Sequence, residues 1–367
     1  MDILWFLPLC WLWLPVLALG LDLLLGDPRC LPHPVNLIGR LLDQLQKPLL
    51  RLEKHQRPGG VLALICALAV SGLIALLLLN LGNLFGFASL LGALAALYLA
   101  WSGLALGCLL REGEKARQVL LCLDKAQQAL DLPCLDNIEK SEAQQTSEVQ
   151  QALDEARHAV GMLVSRDVSK LDSVALYRTL AESLSENFND AFVAPFFWLL
   201  LGGPVGLWVY KCASTADSRW GYKHEPWTHI GWAAARLDDV LAWLPARISA
   251  GLLFMSRREV RCWLGLDDES SEGGSGWPGW AVLRRDAAKM ESPNAGWSMA
   301  AAAWLHGAGM GGPAVYAGKL KMKPWLGPES AQTWDARRIK NLLQHLRRAG
   351  LLGGLLLTAL LALISLL

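Results

Sequence analysis

Three carboxylates at helical spacing stand directly before an apolar segment near the middle of the chain. Glu182, Glu186 and Asp190 fall at positions i, i+4 and i+8, so one helix face would carry all three, with Asn187 beside them. Like charges at this spacing repel one another, and a solvated acidic face is one interpretation of the pattern. The other interpretation is a site for a cation, either Mg²⁺ or an amine, because the chain passes at once into the apolar residues 192–198.

A second acidic pair, Asp238 and Asp239, follows Arg236. Hard carboxylate oxygens of this kind hold Mg²⁺ together with the phosphates of a substrate. We therefore predict Asp238, Asp239 and Glu186 as metal ligands. The alternative is that the pair lies at a helix N-terminus, where acids complement the helix dipole.

Basic side chains accompany the acids, and Arg binds phosphate or carboxylate with bidentate geometry. The candidates are Arg166, Lys211, Lys223, Arg236 and Arg247. Any one of them also fits an ordinary surface residue or a membrane anchor, but their clustering predicts at least two functional contacts. His33, between Pro32 and Pro34, fits either a structural histidine of a rigid turn or a catalytic one.

The composition indicates the class of protein. Hydrophobic residues make up 53% of the 367 positions, charged residues only 18%, and the mean hydropathy is +0.30. This balance predicts a protein that lies partly in a membrane and partly in water. The net charge of +1 provides no basic field of the kind that binds nucleic acid, so we expect no nucleic-acid partner. The eight cysteines lack Cys-x-x-Cys spacing, which favours reduced thiols.

Several apolar runs have the length of a membrane-spanning helix, about 20 residues. They are residues 3–25, 61–81, 84–110 and 351–367. The first run follows Asp2, where a cleaved leader has Lys or Arg, so we expect a retained anchor. The polar region 111–186 has apolar residues at helical spacing, which predicts soluble amphipathic helices, with a loop or linker over residues 139–151.

A further apolar segment, residues 191–210, is interrupted by Gly-Gly-Pro at residues 202–204. Each half has about ten residues, or roughly 15 Å of helix, which is half the thickness of the hydrocarbon core. We predict a re-entrant or interfacial helical hairpin, which returns Asp217 to the side of the membrane that carries Glu182; a single crossing would separate the two. Lys and Arg residues concentrated in the connection at 26–58 predict that this side is the cytoplasm.

Together these segments predict an all-α fold, a polytopic helical membrane protein. The predicted segments are N-terminal membrane helices with a basic cytoplasmic connection (1–110), a soluble helical region ending in the acidic face (111–190), a broken apolar segment with the catalytic motifs (191–256), a cytoplasmic Gly- and Ser-rich joint with a Pro-Asn-Ala-Gly-Trp region (257–347), and a C-terminal membrane helix (348–367). Most of the candidate site residues fall in the second and third segments.

A set of short motifs runs in order along almost the whole chain. They include Asp22 with Gly26-Asp27-Pro28, Pro32-His33-Pro34, Gly39-Arg40, Arg166-Asp167, Glu182-Ser183-Leu184 with Glu186-Asn187 and Asp190, Gly202-Gly203-Pro204, Asp217-Ser218, Gly221-Tyr222-Lys223, Arg236-Leu237-Asp238-Asp239, Pro245-Ala246-Arg247, Pro293-Asn294-Ala295-Gly296-Trp297 and Gly311-Gly312-Pro313. In type and order these motifs resemble the adenosylcobinamide-phosphate synthase family of cobalamin biosynthesis, the CbiB/CobD type.

The resemblance implies a membrane enzyme, an amide ligase, whose substrates are a corrinoid and an amino-alcohol phosphate. Such an enzyme joins a carboxylate of adenosylcobyric acid to (R)-1-amino-2-propanol O-2-phosphate, or to ethanolamine phosphate, and gives adenosylcobinamide phosphate. The resemblance further implies ATP and Mg²⁺, the inner membrane with an active site facing the cytoplasm, and contact with the lipid bilayer and with other membrane enzymes of cobalamin assembly.

The motifs and clusters together give the expected site. The expected catalytic residues are Glu182, Glu186, Asp190, Asp217 and Asp238. The residues expected to bind substrate or phosphate are Arg166, Asn187, Lys223, Arg236, Arg247, Asn294, His33 and Arg40. Which of the acids serves as a base is left open by the sequence.

Some positions depart from the family pattern. Ser165, Ser214, Ala234 and Met299 stand where Gly, Asn, Ser and an acid are expected. A divergent, non-catalytic paralogue or scaffold subunit is therefore an alternative. A membrane transporter is another, since it also uses a broken intramembrane segment and buried charges. Turnover that depends on nucleotide distinguishes an enzyme from both.

Overall fold

The computed structural model describes residues 10–27, 32–52, 56–84, 88–131, 142–222, 224–257, 278–316 and 318–366. The helices are α1 (Cys10–Leu25), α2 (Pro34–Leu49), α3 (Gln56–Leu84), α4 (Ala88–Ser102), α5 (Leu106–Asp131), α6 (Glu142–Gly161), α7 (Ser173–Phe188), α8 (Ala194–Trp220), α9 (Trp227–Ile230), α10 (Trp232–Leu241), α11 (Trp243–Met255), α12 (Trp280–Ala287), α13 (Ala295–His306) and α14 (Ala336–Leu366). A π-helical turn, Asn189–Val193, joins α7 to α8, and the strands are β1 (Met310–Tyr316) and β2 (Lys319–Leu326).

Within the described ranges, four helical stretches are long and apolar enough to cross a membrane by length and composition. They are Gln56–Asn80, Leu90–Leu130, Ser173–Trp220 and Ala336–Ile364. Shorter apolar helices lie at Trp13–Leu25 and Trp243–Met255. The predicted fold class, a polytopic helical membrane protein, is confirmed.

The chain divides into two compact units, each made of separate stretches of sequence. Unit 1 comprises Met1–Cys108, Asn189–Ile248 and Gly350–Leu367, and unit 2 comprises Leu109–Phe188 and Ser249–Ala349. The five predicted segments are therefore interleaved, because the first, third and fifth contribute mainly to unit 1 and the other two mainly to unit 2.

Unit 1 is built around α3, which packs on α4 and α8, while α8 also packs on α10. Helix α3 is apolar around its whole circumference, with Ala67 buried and Leu62 and Leu73 exposed. Such a helix needs apolar surroundings on all sides, which on its exposed face are lipid. The backbones approach closely in this unit, since a Cβ on Gly60 would lie 2.1 Å from the carbonyl oxygen of Ile230.

The broken apolar segment folds back on itself within α8. Gly203 has φ 60° and ψ −160°, outside the helical region, and Pro204 follows it. A Cβ on Gly206 would lie 2.8 Å from the carbonyl oxygen of Trp198, whereas a continuous helix would separate these positions by roughly 12 Å. The predicted helical hairpin is confirmed, and its depth in a bilayer stays a prediction.

Unit 2 combines helices with the two-stranded sheet, which the all-α prediction did not include. The strands pair antiparallel from Gly312 opposite Lys323 to Tyr316 opposite Lys319, with an irregularity between Met310 and Gly312. Strand β1 packs on α7. The sheet thus lies against the helix that carries two of the predicted catalytic acids.

The polar tract at residues 139–151 was wrongly predicted as a loop or linker, since α6 begins at Glu142 and continues to Gly161. Glu, Gln and Ala dominate this stretch and are good helix formers, which outweighs its polarity. The predicted Gly- and Ser-rich joint, residues 267–276, lies outside the described residues.

Candidate functional site

Unit 1 gathers acidic side chains from distant parts of the sequence around Lys211. The acids within electrostatic range of this lysine are Asp22, Asp27, Asp190 and Asp238. Asp217 and Asp239 extend the group, because both act on Asp238. We call these six aspartates the carboxylate cluster. Four carboxylates around one lysine, with two more beside Asp238, give an excess of negative charge, which attracts a cation.

Asp190 reaches the carboxylate cluster from the π-helical turn that follows α7. A π turn changes the direction of side chains relative to the preceding helix and is frequent at functional sites. Asn189 Nδ2 donates a hydrogen bond to Asp190 Oδ1 at 2.8 Å. The predicted acidic face, continuous from Glu182 through Glu186, is therefore wrong at Asp190, because α7 ends before this residue. The first two acids belong to unit 2 and Asp190 to unit 1.

Asp238 on α10 is a half-buried member of the cluster. Burial raises the pKa of Asp238 to about 8, helped by the charges of Asp190, Asp217 and Asp239, while a hydrogen bond with Ser214 acts in the opposite direction. Its Oδ1 atom is buried and has no hydrogen-bond partner among the described residues. A buried oxygen without a partner is costly, so it suits a ligand that donates a hydrogen bond or a positive charge.

The expected Mg²⁺ can be compared with this set of donors. The described part of the chain contains no group of three or more His, Cys, Asp or Glu side chains arranged to hold a metal ion. Mg²⁺ usually keeps several waters and binds through one or two carboxylates plus phosphates, so either Asp238 or Asp239 has the right chemistry, and the metal role of both stays a prediction. Glu186 belongs to unit 2, and its metal role stays a prediction.

His33 lies at the start of α2 in unit 1. Its Nδ1 accepts a hydrogen bond from the Val35 N–H at 3.3 Å, and its Nε2 lies 4.0 Å from Asp27 Oδ1. Burial lowers the pKa of His33. The negative charge of Asp27 acts in the opposite direction, and the positive charge of Lys211 lowers the pKa further. A neutral imidazole that caps a helix supports the structural interpretation, and the catalytic role stays a prediction.

The other described cations predicted in unit 1 are exposed or already paired. Arg40 and Arg236 are exposed, and Arg236 forms a long ion pair of 3.9 Å with Asp239. The guanidinium of Arg247 lies 4.2 Å from the centre of the Trp243 ring and donates a hydrogen bond to the carbonyl oxygen of the same residue. An Arg–Trp pair of this kind is typical of residues at a membrane interface.

Unit 2 contains the opposite arrangement, with cations around one carboxylate. Glu182 is fully buried and forms a hydrogen-bonded ion pair with Arg166. Arg178 Nε and Lys323 Nζ each lie 3.9 Å from its carboxylate, and the Gly311 N–H donates to its Oε1 at 2.8 Å. Burial disfavours the charge on Arg166, but Glu182 outweighs this, so the pKa of Arg166 is raised. We call these four charged residues the cation cluster.

The remaining predicted residues of unit 2 lie on α7 and immediately before α13. Glu186 is half-buried and acts electrostatically on Arg166. The Asn187 side-chain amide donates to the carbonyl oxygen of Ser183 at 2.9 Å, so part of its hydrogen-bonding capacity is used by its own helix. Asn294 is buried immediately before α13. Catalytic and substrate-binding roles for these residues stay predictions.

Some features of the site were missed or lie beyond what is described. Asp22, Arg178 and Lys323 were not predicted as site residues. An aspartate inside the apolar run of α1 nevertheless indicates a functional position. Asp22 is fully buried and accepts a hydrogen bond from the Gly107 N–H at 2.9 Å. Lys223 lies outside the described residues.

The unusual residues at two positions fit the core of the structure. Met299 and Ala234 are 0% and 1% exposed, respectively, so an apolar side chain costs nothing at either place. Ser214 instead contacts Asp238. Ser214 is thus a departure from the motif pattern that touches the carboxylate cluster.

The fold defines a polytopic helical membrane protein, and its unit 1 carries a cluster of carboxylates. Residues 15–145 and 132–346 match the family described as CobD/Cbib protein. The chain belongs to this family of cobalamin biosynthesis proteins, which confirms the resemblance seen in the motifs.

Individual relatives agree with the family match. A cobalamin biosynthesis protein CobD of Pelobacter propionicus is 36% identical over 311 residues, which cover 85% of this chain and 83% of the relative. The protein of the same name from Geobacter metallireducens is 34% identical over 321 residues, 86% and 88% of the two chains. A cobalamin biosynthesis protein CbiB of Salmonella typhi is 33% identical over 314 residues, 85% of each chain. No solved structure matches the chain.

Proposed function

We propose that the chain is an ATP-dependent amide ligase that forms adenosylcobinamide phosphate. It joins a carboxylate of adenosylcobyric acid to the amine of (R)-1-amino-2-propanol O-2-phosphate or of ethanolamine phosphate. Membership of the CobD/CbiB family supports the pathway. The chemistry of the carboxylate cluster supports the reaction.

The observation that carries the proposal is the buried, unpaired oxygen of Asp238 within an excess of acids. The amino-alcohol phosphate carries a protonated amine near neutral pH. A half-buried group of carboxylates binds such an ammonium through charge-assisted hydrogen bonds. The attraction is stronger there than in water, because the surroundings have a lower dielectric constant.

An ammonium must lose a proton before its nitrogen can attack a carbonyl carbon. Because the pKa of Asp238 is raised to about 8, this carboxylate can accept a proton close to physiological pH. Lys211 offsets part of the negative charge when no substrate is bound. Asp238 is thus the first candidate for the general base.

Amide formation also needs an activated carboxyl group, since a free carboxylate has no leaving group. A carboxylate oxygen of the corrinoid attacks the γ-phosphorus of ATP, and ADP leaves. The amine then attacks the acyl carbon, inorganic phosphate leaves with that oxygen, and the amine proton passes to the base. Stabilising the charge that develops on the phosphoryl group supplies most of the catalysis in such reactions.

Mg²⁺, when bound, neutralises charge on the phosphates. Asp238 and Asp239 are the residues that would hold it. A metal ligand stays ionised across the neutral range, whereas a free base loses its proton near its own pKa. The pH dependence of turnover therefore distinguishes the two roles of Asp238.

The proposed location is the inner membrane, with the site facing the cytoplasm, where ATP is present. The basic connection at residues 26–58 supports this orientation through the positive-inside rule. Contact with other membrane enzymes of cobalamin assembly is part of the same proposal, because the corrinoid is both received from and passed to other enzymes.

The test is turnover by the purified full-length chain in lipid nanodiscs. Adenosylcobyric acid, ATP, Mg²⁺ and aminopropanol phosphate are supplied, and the amide product is measured by mass. We expect product only when all components are present, with ethanolamine phosphate as a second accepted amine. A well-folded chain that makes no product from either amine would instead be an inactive member of the family.

A further inference from the structure

The cation cluster of unit 2 has hydrogen-bond donors that its own carboxylate does not satisfy. Arg178 Nε is buried and has no hydrogen-bond partner among the described residues. It lies 3.9 Å from Glu182, as does Lys323 Nζ, which is beyond hydrogen-bond distance in both cases. An unsatisfied buried donor costs on the order of 1–3 kcal/mol, so an acceptor placed between these donors would be stabilising.

The cluster is also reachable. The side chains of Arg166, Lys323 and Arg178 are 7%, 13% and 15% exposed, so each is mostly buried but retains some contact with the surface. Three cations face one carboxylate at the centre, and Glu186 adds a second negative charge within range of Arg166. Positive charge is therefore still in excess among these five groups.

Aromatic rings flank the same donors. The Arg178 guanidinium lies 5.1 Å from the centre of the Trp325 ring, and Lys323 Nζ lies 5.4 Å from the centre of the Tyr316 ring. Guanidinium groups bind phosphate oxygens with two parallel hydrogen bonds, and a lysine adds a compact positive charge. Trp325 is 53% exposed, which leaves part of its ring available to a ligand.

We propose that Arg166, Arg178 and Lys323 form a phosphate-binding site in unit 2, held in position by Glu182. The ligand is the phosphate group of a small phosphorylated substrate. This inference rests on the proposed function, whose reaction uses two such compounds, ATP and an amino-alcohol phosphate. Glu182 is a positioning residue in this site, since it contacts the cations and not the ligand.

A purely structural role for the cluster makes a different prediction. The Gly311 N–H bond to Glu182 joins β1 to α7, so the ion pairs could serve only to hold the strand. In that case a loss of charge at Lys323 lowers the melting temperature and leaves phosphate binding unchanged. Binding and stability must therefore be measured on the same samples.

The experiment is direct binding to the full-length chain in nanodiscs, without turnover. Isothermal titration calorimetry is run with ATP, aminopropanol phosphate and inorganic phosphate in separate arms. Lys323→Met and Arg178→Met should each weaken binding of at least one of these ligands about 10-fold or more. The matched control is Lys319→Met, which removes an exposed lysine from the same strand and should leave the dissociation constants unchanged.

The arms identify the source of the phosphate. Weakened binding of ATP alone assigns the site to the nucleotide, and weakened binding of aminopropanol phosphate alone assigns it to the amine substrate. Unchanged affinity for all three ligands in folded Lys323→Met and Arg178→Met would overturn the proposal. Because binding is read without the corrinoid, this result is separate from a failure of the ligase assay.

A second measurement uses the wild-type chain and does not depend on variants that fold. An amine-reactive acetylating reagent is applied with and without ATP or aminopropanol phosphate, and the modified lysines are measured by mass spectrometry. A bound phosphate should slow acetylation of Lys323 several-fold and leave Lys319 unaffected. Equal rates at Lys323 with and without either ligand would count against the site.

Discussion

The two charged clusters of the molecule use opposite arrangements. In unit 1 Lys211 stands among aspartates, whereas in unit 2 Glu182 stands among two arginines and a lysine. Groups of like charge repel strongly where water is scarce, and the opposite charge at the centre of each group reduces this repulsion. The remaining excess is negative in unit 1 and positive in unit 2. We infer that the first suits an ammonium or a metal ion and the second suits a phosphate.

Removing the central charge of unit 2 should have the largest effect. Glu182→Gln leaves three cations without their carboxylate, and loss of one partner of a buried ion pair costs about 3–5 kcal/mol. We expect a clear fall in melting temperature, partly restored by inorganic phosphate. Differential scanning fluorimetry in detergent checks both effects. A variant as stable as the wild type would remove the basis for treating Glu182 as the centre of the cluster.

The corresponding removal of the central charge in unit 1 is Lys211→Met. The acids lose their cation, so stability should fall at neutral pH by about 3 kcal/mol. Here acid should restore stability, because protonated carboxylates no longer repel one another. Thermal unfolding between pH 8 and pH 5 measures the gap in stability between the variant and the wild type. If the gap does not narrow as the pH is lowered, Lys211 does not balance the cluster.

Asp238→Asn removes one of the negative charges that are in excess in the carboxylate cluster. The change keeps size and deletes the proposed base, so kcat should fall by about 100-fold, or roughly 2.7 kcal/mol in the barrier. In the wild type, kcat should rise with pH and level off above about 8, as Asp238 loses its proton. The matched control is Asp154→Asn, an exposed carboxylate on α6 that should leave kcat unchanged. Equal rates for Asp238→Asn and the wild type would exclude Asp238 as base.

Acid acts on unit 2 at a place outside the cation cluster, and this smaller effect must be separated from the others. Burial lowers the pKa of His306 to about 3, and the charges of His345 and Arg338 add to the effect. Between pH 6.5, the ordinary pKa of histidine, and about pH 3, His306 is protonated in the unfolded chain and neutral in the folded chain. The free energy of unfolding should therefore fall as the pH drops below 6.5, by at most about 1.4 kcal/mol per pH unit.

Thermal unfolding of His306→Phe and of the wild type is compared between pH 6.5 and about 3. Because the variant lacks the titrating imidazole, its free energy of unfolding should depend less on pH over this range. An unchanged slope would show that other groups cause the acid sensitivity.

Local patterns were enough to predict the helical fold and the break in α8. Apolar runs of about 20 residues identify membrane helices, and Gly-Gly-Pro cannot continue a regular helix, so the hairpin at Gly203 follows from nearby residues alone. The strands were missed because β1 contains Gly311, Gly312 and Pro313, which are unfavourable in strands. The alternation of lysine with apolar residues in β2 was the available signal.

The partners within each cluster could not be predicted, because they are distant in sequence. Glu182 and Gly311 are hydrogen-bonded across a separation of 129 residues, and Asp22 and Lys211 come from different helices. The sequence identified Glu182 as an acid of interest, but only the tertiary structure gives it three cationic partners. The same holds for Asp238, whose burial and neighbours set its pKa.

In the proposed reaction the chain activates a corrinoid carboxylate with ATP and joins it to an amine. The most direct measurement uses adenosylcobyric acid labelled with ¹⁸O in the reacting carboxylate. We expect ADP, the amide product, and one labelled oxygen in the inorganic phosphate released with each amide bond. Amide formed without label in the phosphate, or with the label in AMP, would contradict it.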